Sequence, residues 1–186
     1  MPGCASSEAR NIGNVHTVTP GLLIRGSQPD ARGLRELREE FGVTTVINFN
    51  DVSNDSEAPL AARAGLKYLP LRDNPWVEAG DHELYLSFLK TVRNARRDGE
   101  GPVYAHCRLG CDRVGLAVGI YRIIECGWDA KQALAELRRY QPLHMSMVFH
   151  RYPAILREVE RTRCDWLREL EEASDPPLKL AGQDPP

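Results

Sequence analysis

Residues 106–113 combine two thiols, a glycine and two arginines in one short segment, and Cys107 is its candidate nucleophile. A short apolar stretch before it, residues 103–106, predicts a strand, and the long apolar stretch after it predicts a buried helix. A thiolate is a much better nucleophile than a thiol, and a helix N-terminus can lower the pKa of a cysteine by several units. The segment is therefore suited to nucleophilic catalysis at the junction of a strand and a helix.

The same segment is suited to binding an anion. Backbone N–H groups at a helix N-terminus bind phosphate oxygens, and Gly110 allows a backbone conformation that other residues resist. Arg113 can hold two phosphate oxygens at once through its planar guanidinium group. We expect His106 to hydrogen-bond locally and fix the thiolate, not to act as a base. The predicted substrate-binding residues are His106, Arg108, Leu109, Gly110, Cys111 and Asp112.

A His-Cys pair followed by Gly110 and Arg113 resembles the signature of the protein tyrosine phosphatase superfamily. The residues from Gly26 to Pro29, which precede a predicted helix, resemble its compact dual-specificity branch, and the resemblance covers roughly residues 15–160. It implies a covalent phosphocysteine intermediate and neither a metal nor a cofactor. It also implies an aspartic acid on a loop that protonates the leaving group.

Two residues are candidates for that acid. Asp73 follows a predicted strand and lies in a loop with Pro75 and Trp76, as the family's acid does. Asp81 is the alternative, although the start of a helix explains it without chemistry. We favour Asp73 because of this loop, and geometry must decide which of the two residues has the acid role.

One position departs from the family pattern. The family has Ser or Thr directly after the arginine, where the hydroxyl helps to stabilise the thiolate when phosphocysteine is hydrolysed, whereas this chain has Val114. The departure predicts a slow second chemical step and accumulation of the intermediate. It is also the one feature that favours a catalytically weak phosphate-binding pseudophosphatase.

Cys111 lies in the same loop as Cys107 and has two interpretations. Oxidation could join the two sulfurs in a reversible disulfide that switches the enzyme off, or the Cys111 side chain could point away from the anion. Zinc binding by His106, Cys107 and Cys111 is a weaker alternative, because adjacent His and Cys are poorly spaced ligands. Sulfur transfer through Cys107 is a third, weaker function.

The surrounding elements must bring these residues together. Strand-like stretches follow Val15, cover residues 22–24, 43–49 and 66–71, and alternate with helical patterns. Residues 25–29 read as a turn, Asp30 and Asp81 as helix caps, and residues 148–172 as one helix. This alternation predicts an α/β fold with a central, mostly parallel sheet of four to five strands flanked by helices.

Composition bounds the remaining possibilities. The 186-residue chain is 42% hydrophobic and 27% charged with a net charge of −2, so we expect no nucleic-acid or membrane partner. We predict a loose segment over residues 1–13, one domain over residues 14–172 and a disordered proline-rich tail over residues 173–186. The odd number of cysteines gives no disulfide framework and, with no visible leader, favours the cytoplasm.

The sequence thus predicts a phosphatase for phosphotyrosine or dual-specificity protein substrates. A phosphoinositide or inositol phosphate phosphatase is the alternative, because related compact enzymes include those activities. The expected ligands are a phosphorylated protein or small phosphate monoester, and phosphate, sulfate or vanadate in the loop.

Overall fold

A computed structural model of the chain describes residues 11–50, 56–73, 81–140 and 150–172. Its centre is a five-stranded sheet in the order β1-β2-β5-β3-β4. Only the β1–β2 pair is antiparallel, so the sheet is mostly parallel as predicted. The strands are β1 His16–Thr19, β2 Leu23–Ser27, β3 Thr45–Asn48, β4 Lys67–Pro70 and β5 Val103–Cys107.

The helices cover both faces of this sheet and are α1 Ala31–Glu39, α2 Glu57–Arg63, α3 His82–Arg97, α4 Arg113–Cys126, α5 Ala130–Arg139, α6 Tyr152–Arg161 and α7 Arg163–Glu172. Asp30 caps α1 by accepting bonds from the N–H groups of Arg32 and Gly33, each 2.8 Å long, which confirms the predicted cap. The α/β class predicted from the alternation of elements is therefore confirmed.

The prediction of one helix over residues 148–172 is wrong, because α6 ends before Thr162 and α7 begins after it. The Thr162 hydroxyl donates to the Glu158 carbonyl oxygen at 2.8 Å, and the Asp165 N–H donates to the Thr162 carbonyl oxygen at 2.9 Å. A side chain that bonds back to the preceding turn competes with the helical ladder, which accounts for the break at Thr162.

Two apolar clusters lie on opposite faces of the sheet. The cluster against α1 and α2 includes Leu34, Leu37 and Val46, and the larger one is centred on α4. Every residue of α4 from Val114 to Tyr121 is buried, as the all-round apolar sequence predicts. The α4 N-terminus is thereby held rigidly behind the end of β5.

Strand β2 extends to Ser27, into the segment 25–29 for which the sequence predicts a turn. Arg25, placed in a turn by the sequence, lies inside strand β2 and is buried. In the segment predicted to be loose, Ile12 is buried and the Asn11 side chain donates to Glu36 at 2.7 Å, whereas residues 1–10 and the tail at 173–186 lie outside the described residues. No helix among the described residues is both long and apolar enough to cross a membrane.

Candidate active site

Cys107 is the last residue of the central strand β5 and is only 2% exposed. Ser27 of β2 lies beside it in register, and Asn48 of β3 lies beside His106. The carboxyl ends of three parallel strands therefore meet at Cys107, which is the edge where open α/β sheets bind ligands.

The loop after Cys107 turns through Gly110, whose φ of +73° lies in the left-handed region. A Cβ atom there would lie 2.6 Å from the carbonyl carbon of Gly26 and 2.7 Å from the backbone nitrogen of Ser27. Glycine is thus required twice, by its backbone conformation and by its close approach to β2. This requirement agrees with the role predicted for Gly110.

His106 is fully buried, and its Nε2 atom lies 2.8 Å from Oε1 of Glu57, which is also buried. The other Glu57 oxygen accepts bonds from Asn48 at 3.1 Å and from Gln28 at 3.2 Å. The His106 ring also stacks on the Tyr104 ring, with the ring centroids 5.7 Å apart. His106 is therefore fixed by Glu57 of α2, which is itself bound by Asn48 of β3. Sequence reasoning did not identify Glu57 as this partner.

The Arg113 guanidinium is aimed by the end of β3. Its Nη1 atom donates to Oδ1 of Asn50 at 3.1 Å and to the carbonyl oxygen of Phe49 at 3.4 Å. The other end of the Asn50 side chain donates to Gln28 at 3.0 Å. Arg113, the first residue of α4, is in this way tied to the same strand ends that surround Cys107.

Asp73 lies just beyond β4 and is 1% exposed. The Tyr85 hydroxyl of α3 donates a 2.7 Å hydrogen bond to its Oδ2 atom. Asp81, by contrast, caps α3 by accepting a bond from the Leu84 N–H at 3.3 Å, as predicted. Pro75 and Trp76, which the sequence places in the same loop as Asp73, lie outside the described residues.

Tyr152 of α6 interacts electrostatically with several of these groups. Its hydroxyl is buried, and burial raises its pKa above the ordinary value for tyrosine. Negative charge on Asp112, Asp73 and Cys107 raises that pKa further, while Arg113 opposes the rise. Tyr152 and Tyr85 read in the sequence as members of apolar helix stripes, so only their spatial neighbours reveal that they line the site.

The remaining loop side chains divide into an outer rim and a buried side. Arg108 and Leu109 are exposed, Leu109 at 46%, and form the rim. Cys111 is buried, and its thiol donates to the Leu109 carbonyl oxygen at 3.3 Å. Burial raises the pKa of Cys111, with help from negative charge on Asp112 and Cys107. The Cys111 thiol is thus held within the loop, and the reversible disulfide with Cys107 stays a prediction.

Val114 and Asp112 flank Arg113. Val114 is fully buried in the α4 cluster, so the hydroxyl usual in the family is replaced by an apolar contact. Burial raises the pKa of Asp112, and the nearby Arg113 and Arg25 oppose that rise.

One group of described side chains has ligand atoms close enough together to hold a metal ion, and it is His82, Glu83 and Glu169. It connects α3 with α7 and contains none of His106, Cys107 and Cys111. The described residues therefore give no support to the zinc alternative at the loop.

No protein-family model matches the chain. The chain is 33% identical over 126 residues to the dual specificity protein phosphatase TpbA of Pseudomonas aeruginosa strain UCBPP-PA14, an alignment that covers 68% of this chain and 54% of the relative. The TpbA of a second strain of that species is 34% identical over 125 residues, with 67% and 53% covered. The chain thus spans about half the length of these relatives.

Solved structures are also similar to this chain. A crystal structure of a TpbA variant in complex with pTyr superposes with a TM-score of 0.67 at 26% identity and covers 83% of this chain and 90% of that chain. The crystal structure of PTPMT1 has a TM-score of 0.66 at 19% identity, with 83% and 99% covered, and supports the fold. The fold predicted from the resemblance is confirmed by both.

Proposed function

The chain belongs to the protein tyrosine phosphatase superfamily as a compact, dual-specificity-like member, and from this premise we propose that it is a cysteine-dependent phosphatase. It hydrolyses phosphate monoesters in two steps. The proposal rests chiefly on the short loop that joins Cys107, at the end of β5, through the turn at Gly110 to Arg113, at the start of α4.

In the first step the Cys107 thiolate attacks phosphorus, the sulfur–phosphorus bond forms and the ester oxygen–phosphorus bond breaks. Asp73 donates its proton to the departing oxygen. Arg113 and the loop N–H groups stabilise the charge on the three non-bridging oxygens. In the second step Asp73 takes a proton from water, the water oxygen attacks phosphorus, and inorganic phosphate and the Cys107 thiolate are released.

The deciding experiment is turnover of p-nitrophenyl phosphate without metal and with reductant. Wild type, Cys107→Ser and the matched loop variant Cys111→Ser are compared. We expect Cys107→Ser to abolish turnover and Cys111→Ser to retain it. If wild-type protein turns over no substrate yet binds vanadate tightly, the pseudophosphatase interpretation replaces this proposal.

We further propose that the substrate is a phosphotyrosine-bearing or dual-specificity protein substrate. The rim of the loop presents the apolar Leu109 beside a single cation, Arg108, and the acidic Asp112 lies in the same loop. An apolar rim suits a phosphopeptide better than a highly charged inositol phosphate. TpbA, which has been crystallised with pTyr, is the relative that supports this choice.

A substrate panel tests this class. A phosphotyrosine peptide and a soluble phosphoinositide are compared as substrates for wild type and Leu109→Ala. We expect the peptide to have the higher kcat/KM and Leu109→Ala to reduce that value while leaving inhibition by inorganic phosphate unchanged. A higher kcat/KM for the phosphoinositide would reassign the substrate class and leave the chemical mechanism intact.

The cytoplasm remains the proposed compartment. Cys107, Cys111, Cys126 and Cys164 are all free thiols, and free thiols persist in a reducing environment.

A further inference from the structure

The carbonyl groups of the Cys107–Arg113 loop are held by the N-terminal part of the chain. The backbone N–H of Gln28 donates to the Arg108 carbonyl oxygen at 3.3 Å. The side-chain amide of Asn14 lies 3.3 Å from the Leu109 carbonyl oxygen and 3.0 Å from that of Gly110. Three successive carbonyl groups are thus bound by residues that precede α1.

Arg25 continues this series from beneath the loop. Its Nη2 atom donates to the Gly110 carbonyl oxygen at 2.7 Å and to that of Cys111 at 3.3 Å. The side chain is only 1% exposed and lies over the Tyr140 ring, 5.0 Å from its centroid. Its Nε and Nη1 atoms have no hydrogen-bond partner among the described residues.

This arrangement fixes the direction of the loop's N–H groups. In a trans peptide the C=O and the N–H of the next residue point in opposite directions. When the carbonyl groups of residues 108–111 face the N-terminal segment, the N–H groups of residues 109–112 face the other way. That side is where the loop would enclose the three oxygens of a phosphoryl group.

Arg25 also brings a buried positive charge close to the loop. A guanidinium keeps its proton in proteins. Burial lowers the pKa of Arg25, and negative charge on Cys107 is the largest of the effects that oppose this. The guanidinium therefore adds positive charge on the side of the loop that carries the Gly110 and Cys111 carbonyl groups. Cys111, Tyr85, Tyr104 and Tyr152 also interact electrostatically with Cys107.

The orientation of Asn14 is itself fixed. Its Oδ1 atom lies 2.8 Å from Nε2 of His16, which leaves the amide nitrogen directed at the loop. Asn14 has a φ of +54°, in the left-handed region that asparagine tolerates better than most residues. A glycine at this position would keep the backbone conformation and remove only the side chain.

We propose that Asn14 and Arg25 are positioning residues that hold the loop carbonyl groups away from the substrate, so that the loop N–H groups and the Cys107 thiolate are set for phosphate before it binds. The inference rests on the proposed phosphatase function. It adds to that function a support for the loop, which is formed by β2 and by the residues before β1. Both segments are distant in sequence from the loop.

The test measures binding and thiolate reactivity separately from turnover. Inorganic phosphate affinity is determined by calorimetry, and the rate of Cys107 alkylation by iodoacetamide at pH 7 is followed by peptide mass spectrometry. The variants are Asn14→Gly, Arg25→Lys and Arg25→Met. Loss of a hydrogen bond to a preorganised anion site corresponds to about a tenfold effect. We expect Arg25→Met to weaken phosphate binding by about that factor and to slow alkylation, and Arg25→Lys to restore part of the alkylation rate because it keeps the charge.

Arg163→Met is the matched control, since Arg163 also donates to a backbone carbonyl, that of Ile124 at 3.2 Å, but at the opposite end of α4. It should leave phosphate affinity and alkylation unchanged. If Arg25→Met does not fold, Asn14→Gly carries the test, with an expected weakening of phosphate binding by several-fold. Wild-type affinity and alkylation in folded Asn14→Gly or Arg25→Met would overturn the inference, whereas wild-type protein that binds no phosphate would refute the proposed function instead.

Discussion

The Tyr85 hydroxyl donates a 2.7 Å hydrogen bond to Oδ2 of Asp73, and both side chains are buried. Burial raises the pKa of Tyr85 well above its ordinary value, and the adjacent Asp73 charge and hydrogen bond raise it further. Tyr85 therefore stays protonated across the neutral range and remains a donor. Asp73 is thus bound by a side chain of α3, whereas Asp81 caps the N-terminus of that helix.

This relationship predicts how Asp73→Asn will behave. We expect kcat/KM, which reports the first chemical step even when the second step limits kcat, to fall by about 100-fold, a typical contribution of a positioned general acid. The loss should be larger with phenyl phosphate than with p-nitrophenyl phosphate, because a good leaving group needs little protonation. The matched control Asp81→Asn keeps a capping side chain, so its turnover should equal that of wild type. An equal loss for both leaving groups in Asp73→Asn would argue against the acid role.

Val114 predicts the kinetics of the second step. The buried valine offers no hydroxyl to the thiolate that leaves phosphocysteine, so we expect a burst of p-nitrophenol equal to the enzyme concentration in rapid-mixing experiments. Val114→Thr should raise steady-state turnover and diminish the burst, at a cost of about 1–3 kcal/mol in stability from the buried hydroxyl. Linear product release from the first turnover in wild type would refute the prediction.

The buried contact between Glu57 and His106 predicts a large effect on stability. Both side chains are nearly inaccessible, and a buried polar group left without its partner costs about 1–3 kcal/mol. We expect Glu57→Ala to lower the free energy of unfolding by that amount in urea denaturation. Glu100→Ala, which removes the exposed pair with Lys67, should cost less than about 1 kcal/mol. Similar losses for the two variants would mean that the buried contact contributes little.

His16 predicts a pH dependence of stability. Burial, followed by the positive charges of Arg25 and Arg139, lowers the pKa of His16 below its ordinary value of 6.5. In the window below 6.5 the unfolded chain binds more protons than the folded one, so stability falls as pH falls through it.

The measurement is urea unfolding of wild type and His16→Gln at pH 7.5 and pH 5.5. Glutamine cannot titrate, so the variant should lose less stability than wild type between these two pH values. Because all other titrating groups are shared, the difference between the proteins isolates His16. Equal losses would show that the surroundings of His16 do not perturb it.

The residues that act through local sequence were predictable. Cys107, Gly110 and Arg113 lie within one strand–loop–helix segment, and their chemistry depends on a short spacing and on a helix N-terminus that the sequence predicts directly. The helix caps at Asp30 and Asp81 are equally local, since a capping side chain bonds to N–H groups two or three residues further on. The fold class followed from the alternation of strand and helix patterns.

The supports of that loop were not predictable, because they depend on contacts between distant segments. The sequence predicts a turn at Arg25, and only its position in β2 beside Ala105 brings its guanidinium to the carbonyl groups of the loop. Tyr85 and Tyr152 have the same spacing as purely apolar helix residues, so periodicity cannot distinguish a hydroxyl that faces the site from one in the core.

The sequence alone predicts Cys107 as the nucleophile and Arg113 as the arginine that binds the anion, because both predictions follow from one local motif. The tertiary structure decided which aspartate is buried against Tyr85, which side chains hold the loop carbonyl groups and where the last helix breaks. Those outcomes depend on sheet order and packing, which bring together groups from β2, α2, α3 and α6 that no spacing along the chain relates.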